Sequence, residues 1–166
     1  MKKATALILV LWCFYSCEEK KEILTAQQIV DNAIEASGSQ LLDSSKVEFD
    51  FRNIHYTSIR KPGYYRYTRT QTDSLGNVIT DAIGSDGFSR RINDTLVQVH
   101  DTMANKYSNS LNSVHYFAYL PYNLNDKAVH KKDLGEVTIK GVKYHKIQVT
   151  FSENGGGDDH EDVFLY

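Results

Sequence analysis

Five of the six histidines, His100, His115, His130, His145 and His160, recur at a constant interval of fifteen residues. Imidazole is the side chain most suited to ligating a metal or moving a proton near neutral pH. The neighbours do not repeat, so the interval marks no structural repeat, and the settings read as strand, helix, loop, strand and loop. Zinc sites need close ligand pairs, such as i and i+4 on a helix, and these histidines supply none. Asp158, Asp159, Glu161 and Asp162 could offer oxygens to calcium. They lack the fixed alternation and central glycine of an EF-hand, and read as a solvated acidic loop. A nucleophile elbow, a P-loop and a dinucleotide fingerprint are all missing. The expectation is a chain with no catalytic residues, no metal and no cofactor.

Tyrosine is the unusual residue, with eleven against one tryptophan. On strands and helices such rings usually pack in a half-buried core while the hydroxyl stays wet. The functional alternative is an aromatic concave face for a lipid or other amphiphile. The candidates for that face are Tyr65, Tyr67, Phe88, Tyr107, Tyr116, Tyr119 and Tyr122. Nucleic acid is not an expected partner: the formal charge is -2, and binding a polyanion needs a basic stripe to displace counterions.

The chain start carries an address. Lys2 and Lys3 precede an uncharged, mostly apolar run from Ala4 to Tyr15 that contains Leu7-Ile8-Leu9-Val10-Leu11-Trp12. This is the layout of an export signal, and it is too short to span a bilayer, which takes about 20 residues. Phe14-Tyr15-Ser16-Cys17 resembles a lipobox, with a small residue before the cysteine, although Phe14 and Tyr15 depart from the usual Leu and small residue. The resemblance implies acylation of Cys17 and a membrane anchor at the new N-terminus. The other cysteine, Cys13, lies inside the apolar run behind the bulky Trp12, so the remaining chain has no disulfide framework. Glu18-Glu19-Lys20-Lys21-Glu22 reads as a solvated tether, and also resembles the surface-export signal of Bacteroidetes lipoproteins. The organisation expected is a signal peptide over 1–16, a lipidated tether over 17–24 and one domain over 25–166.

These residues must be positioned by a folded unit, and 166 residues suffice for one. Thr25-Ala26-Gln27-Gln28 is a capping box, followed by a helical stripe of Ala26, Ile29, Val30, Ala33 and Ile34, with Gly38 as a stop. The period then changes to two. Val47, Phe49 and Phe51 begin a run that Pro62-Gly63 breaks. A second strand carries Tyr65 and Tyr67, a third runs from Val78 to Ile83, a fourth from Phe88 to Ile92 and a fifth from Leu96 to His100. Tight turns at Asp73–Asn77, Ser85-Asp86-Gly87 and Asn93-Asp94 make this an antiparallel meander. Ala104 to Tyr119 predicts a helix with Tyr107, Leu111, Val114 and Ala118 on one side, ended by Pro121. Leu134–Lys140 and Val142–Phe151 predict a hairpin about Lys140-Gly141, with a bulge near His145. Val163-Phe164-Leu165-Tyr166 starts a last strand, and an unfinished sheet edge there gives the expectation that the chain is truncated.

One N-terminal helix, a meander and an inserted helix resemble the half-barrel of the LolA/LolB lipoprotein carriers. The fold class expected is therefore α+β, an antiparallel curved sheet of half-barrel form with an N-terminal and an inserted helix. A further resemblance rests on the run Asn112-Ser113-Val114-His115-Tyr116-Phe117-Ala118-Tyr119-Leu120-Pro121-Tyr122-Asn123-Leu124-Asn125-Asp126-Lys127-Ala128-Val129, on Ile139-Lys140-Gly141-Val142-Lys143-Tyr144, on Gly155-Gly156-Gly157-Asp158-Asp159 and on Asp162-Val163-Phe164-Leu165-Tyr166. These segments look like a Bacteroidetes lipoprotein family of the DUF6503 type, which brings no established activity. Some proteins of this look carry a deoxyribose-phosphate aldolase label, but such an aldolase is a (β/α)₈ barrel with alternating strands and helices, and these strands come in series. Ser74, Thr95 and Thr102, each after an aspartate and before Leu or Met, resemble the Bacteroidetes O-glycosylation motif. Two functions from different classes are expected. One is a non-enzymatic lipoprotein of the cell envelope, at the outer membrane and facing periplasm or surface, that binds an amphiphile or an envelope partner. The alternative is an envelope enzyme, or a subunit of one, whose site lies in a missing C-terminal part.

Overall fold

A computed structural model describes residues 23–152 and 161–166. The expected export signal, Cys17, most of the expected tether, Asp158, Asp159 and His160 lie outside the described residues, as do the side chains of Glu161 and Asp162.

The first helix, α1 (Ala26–Ala36), begins at the expected capping box. The Thr25 hydroxyl accepts from the Gln28 amide at 3.2 Å, and the Gln28 side chain accepts from the Thr25 amide at 2.8 Å. Ile29 and Val30 are its buried residues. Leu24 already packs against the same core. Gly38 takes the left-handed conformation that ends the helix, at φ 67°, and a 3₁₀ turn over Ser39–Ser44 leads into the first sheet.

That sheet has six antiparallel strands in sequence order: β1 (Lys46–Phe51), β2 (Ile54–Lys61), β3 (Tyr64–Thr72), β4 (Val78–Gly84), β5 (Gly87–Ile92) and β6 (Thr95–Val97). The sequence predicts one run from Val47 to Pro62. The structure folds it into a hairpin at Arg52-Asn53, whose φ values of 51° and 60° define the tight primed turn that matches strand twist. Asn93-Asp94 and Lys140-Gly141 repeat this geometry.

Cross-strand pairing sets one face of the sheet in two rows. One row runs Phe49, Tyr56, Arg69, Asp81, Arg90 and Val97; the other runs Val47, Ser58, Tyr67, Ile83 and Phe88. The second helix, α2 (Asp101–Ala118), packs on β3, β4 and β5. It starts three residues earlier than expected, because β6 ends at Val97 and His100 caps the helix, its Nδ1 accepting from the Thr102 amide at 3.4 Å. Its buried residues are Leu111 and His115. Ala118, expected on the inner side, is exposed, since His115 lies one helical turn after Leu111 and takes the inward position.

A 3₁₀ turn at Tyr122–Asn125 leads to a second, three-stranded antiparallel sheet of β7 (Val129–Ile139), β8 (Val142–Phe151) and β9 (Glu161–Leu165). The strands thus form two sheets, where the sequence predicts one continuous curved sheet, and neither closes into a barrel. The expected irregularity is opposite His145, with the extra residue on the partner strand. Asp133 pairs Ile147 and Glu136 pairs His145, so Leu134 and Gly135 together face Lys146. The β9 ladder continues through Tyr166, whose amide and carbonyl both bond the backbone of His145.

Two apolar clusters fill the interior. One joins Ile29 and Val30 of α1 to Leu124, Val129, Ile147 and Val149, with Tyr116, Leu120, Phe151 and Tyr166 at its margin. The other joins Tyr56, Tyr67, Leu111 and Tyr119, with Val47, Phe49 and Ile83 beside it. Helix α2 contributes to both, Leu111 to the second and Tyr116 to the first.

Candidate functional site

Between the first sheet, α2 and the second sheet lies a cleft of about 490 Å³. Its walls combine Tyr65 and Tyr67 from β3, Tyr116 from α2, Val129 from β7 and Phe151 from β8 with the polar Arg60, Asn112, Asn123 and Asp126. A volume of this size falls within the roughly 300–1,000 Å³ range of small-molecule sites. Tyr116 and Phe151 meet edge to face at 5.7 Å, and Tyr65 and Tyr67 pack at 5.3 Å between centroids. A groove of about 540 Å³ adjoins it, lined by Asp43, Arg60, Tyr64, Tyr65 and Tyr122 among others.

Arg60 borders both spaces. Alternation along β2 sends Tyr56, Ser58 and Arg60 to the same face, the first two buried in the core and the third at its rim. The guanidinium carbon stands 5.2, 5.6 and 4.7 Å from the ring centroids of Tyr67, Tyr119 and Tyr122. One terminal nitrogen donates to the Tyr67 hydroxyl and, at 3.3 Å, to Asn123 Oδ1. The hydroxyl of Tyr122 donates to Asp43. Burial pushes the Tyr67 phenol up to about 12, against the opposing pull of the Arg60 charge. Burial likewise raises the Tyr119 and Tyr122 phenols.

Beneath the cleft, His115 is fully buried. Its ring stacks on Tyr67 at 4.4 Å and meets Phe49 and Tyr56 edge-on at 5.6 and 5.8 Å. The Nδ1 atom lies 3.2 Å from the Tyr119 hydroxyl, which donates onward to Ser58. That chain makes the hydroxyl the acceptor from Nδ1–H. Burial lowers the imidazole to about 4, while the Thr68 backbone pulls the other way. Among the described residues, Nε2 has no hydrogen-bond partner. Shut off from solvent, this His–Tyr–Ser chain holds the helix on the sheet.

A second polar group lies farther along the same face. The carboxylate of Asp81, 1% exposed, accepts from Arg69 Nε at 2.9 Å and from Arg90 Nε at 2.6 Å and a terminal nitrogen at 2.8 Å. The second arginine lies 3.6 Å over the Tyr107 ring, and Arg69 also donates to Ser110 at 2.9 Å. Strand register alone creates this trio, since Asp81 stands directly between Arg69 and Arg90 in the ladder.

Of the aromatic candidates, Tyr65, Tyr67 and Tyr116 line the cleft and Tyr122 lines the adjoining groove. Tyr119 is in the core below. Phe88 and Tyr107 stack on each other at 6.1 Å in the neighbourhood of the Asp81 trio, away from the cleft walls. Arg60, Asn112, Asn123 and Phe151 are wall residues that the aromatic reading missed. Even spacing from Tyr56 and Ser58 was the signal available for Arg60. Ser74, Thr95 and Thr102 are all exposed, at a turn, a strand start and a helix start. His130 lies on an exposed strand position, 3.0 Å from the Ser152 hydroxyl. Among the described residues no three His, Cys, Asp or Glu side chains gather as a metal set, and no helix is long and apolar enough to cross a membrane.

Fold and cleft define an α+β domain of two antiparallel sheets held about a central helix, with an aromatic, arginine-bearing cleft between them. The chain belongs to a family of unknown function, DUF6503, whose model matches residues 2–166. No curated protein and no solved structure matches it.

Proposed function

We propose that this protein is a lipid-anchored component of the bacterial cell envelope that binds an amphiphilic ligand in the cleft between its sheets. The observation that carries the reading is the cleft wall: four aromatic rings and Val129 for an apolar tail, with Arg60 and two asparagines for a polar head. The export signal and the lipobox-like Phe14-Tyr15-Ser16-Cys17 support the address, and an anchored domain meets amphiphiles at the membrane surface. The helix–meander–helix order of the chain resembles the LolA/LolB carriers, which supports a carrier role at the outer membrane. Exposure of Ser74, Thr95 and Thr102 is what O-glycosylation in a Bacteroidetes host requires. Native mass spectrometry of the full chain purified from its own membranes tests the ligand. The expected spectrum shows a non-covalent adduct, several hundred daltons in size, that organic extraction removes. A spectrum with only the acylated protein mass, before and after extraction, would overturn the binding role.

A further inference from the structure

Among the described residues, the cation that borders the cleft, Arg60, forms no ion pair. Arg69 and Arg90 share the Asp81 carboxylate, and Arg66 faces Asp86 at 3.5 Å. Among the described residues, Arg60 has no carboxylate within ion-pairing distance, and its buried Nε finds no hydrogen-bond acceptor. The acceptors of its terminal nitrogen, the Tyr67 hydroxyl and Asn123 Oδ1, are both neutral. Three tyrosine rings surround the guanidinium. Aromatic faces attract a cation, yet leave the in-plane N–H donors unsatisfied. A planar fork of donors is shaped for two oxygens of one anion, and a charge drawn partly out of water gains most from such a partner.

The acidic groups nearby are engaged. Asp126 on the cleft wall accepts the Ala128 amide at 2.9 Å, and Asp43 in the adjoining groove takes the Tyr122 hydroxyl. Neither forms an ion pair with Arg60, and their charges disfavour an incoming dianion. The same cleft carries an apolar wall of Tyr65, Tyr116, Val129 and Phe151. We propose that the cleft selects amphiphiles with a singly charged oxyanion head group, a carboxylate or a phosphodiester, seated on Arg60 with the tail along that wall. This rests on the amphiphile reading and names its ligand class.

The test uses two photoreactive, clickable hexadecyl probes, one a carboxylic acid and one the matching alcohol, added to the detergent-purified full chain. Cross-linked peptides are located by mass spectrometry. The expected result is labelling of the segments carrying Tyr65, Tyr116 or Phe151, at least ten times stronger for the acid than for the alcohol. Inorganic phosphate at equal concentration should leave the acid's labelling in place, because it lacks the tail. Arg60→Gln should remove the preference while keeping labelling by the alcohol, and Arg60→Lys should keep part of it. Equal labelling by acid and alcohol in the wild type would overturn the head-group assignment and leave amphiphile binding standing. The same holds for a preference that survives Arg60→Gln. Cleft labelling by neither probe would overturn both. The wild-type comparison decides the matter even where a variant fails to fold.

Discussion

The imidazole of His115 is held neutral under a sheet, and that state couples the fold to pH. Its folded value is depressed to about 4 from an ordinary 6.5. Below 6.5 the unfolded chain takes up a proton that the native chain refuses. Stability from this group is therefore complete above about 6.5, declines as pH falls toward 4, and is flat below that. The full span corresponds to about 3 kcal/mol. Urea unfolding of the wild type against His115→Phe should show a shallower loss for the variant between pH 6.5 and 4, and parallel pH curves would disprove the coupling. Asp81 gives a prediction of the opposite kind. Asp81→Asn leaves the buried Arg69 and the partly buried Arg90 facing each other without their anion, and should cost about 3–5 kcal/mol; a loss under 1 kcal/mol by the same measurement would show that water already screens the trio. These polar residues were visible in the sequence as charges in the inward phase: Arg69 after Tyr65 and Tyr67, Asp81 between Ile79 and Ile83, Arg90 between Phe88 and Ile92. Their meaning was not. Charge normally marks the wet face of a strand, and only the register reveals that one carboxylate serves two arginines.

At the level of elements, local chemistry carried far. The Thr25 capping box, the Gly38 stop, the turn at Asn93-Asp94 and the hairpin about Lys140-Gly141 all stand where composition placed them. The turn at Arg52-Asn53 was missed because arginine seldom takes a positive φ, so two strands read as one. The helix start was misplaced because His100 is an uncommon cap, and Val99-His100 continued the alternation. The cleft drew on a different kind of information. Tyr65 and Tyr67 are neighbours on one strand, but their meeting with Tyr116 and Phe151 depends on how two sheets close around α2, which no period in the chain encodes. Gly84 gives this level its test. A Cβ built there would lie 2.6 Å from the Tyr65 carbonyl oxygen, so β3 and β4 can stay paired only if backbone moves. Gly84→Ala should destabilise the fold by about 1–3 kcal/mol and weaken probe labelling in the cleft, since Tyr65 is the residue displaced. An unchanged midpoint together with unchanged labelling would show that the strand end yields freely.

On the scale of the whole molecule, the proposed anchor and the domain are separable. Cys17→Ser should abolish incorporation of a fatty-acid analogue during growth and leave the protein uncut or released from the membrane, because the thiol is the acceptor that the lipobox-like segment designates. Persistent labelling of the variant would place the lipid elsewhere. Helix α2 is shared by the two cores. Leu111 of α2 belongs to the core of the six-stranded sheet, and Tyr116, little more than a turn later, belongs to the margin of the other. Neither sheet can shed the helix without exposing apolar surface in its neighbour's core. Hydrogen exchange should therefore find slow amides in β3, β4 and β8 opening with a single common free energy, as one cooperative unit. Leu111→Ala, which removes a fully buried side chain at a cost of about 2–5 kcal/mol, should lower that free energy equally in both sheets. Exchange that quickened in β3 and β4 while β8 kept its protection would reveal two independent folding units. In the cooperative case a ligand in the cleft, touching both sheets and the helix, would slow exchange throughout the domain, and its occupancy could be followed from amides far from where it binds.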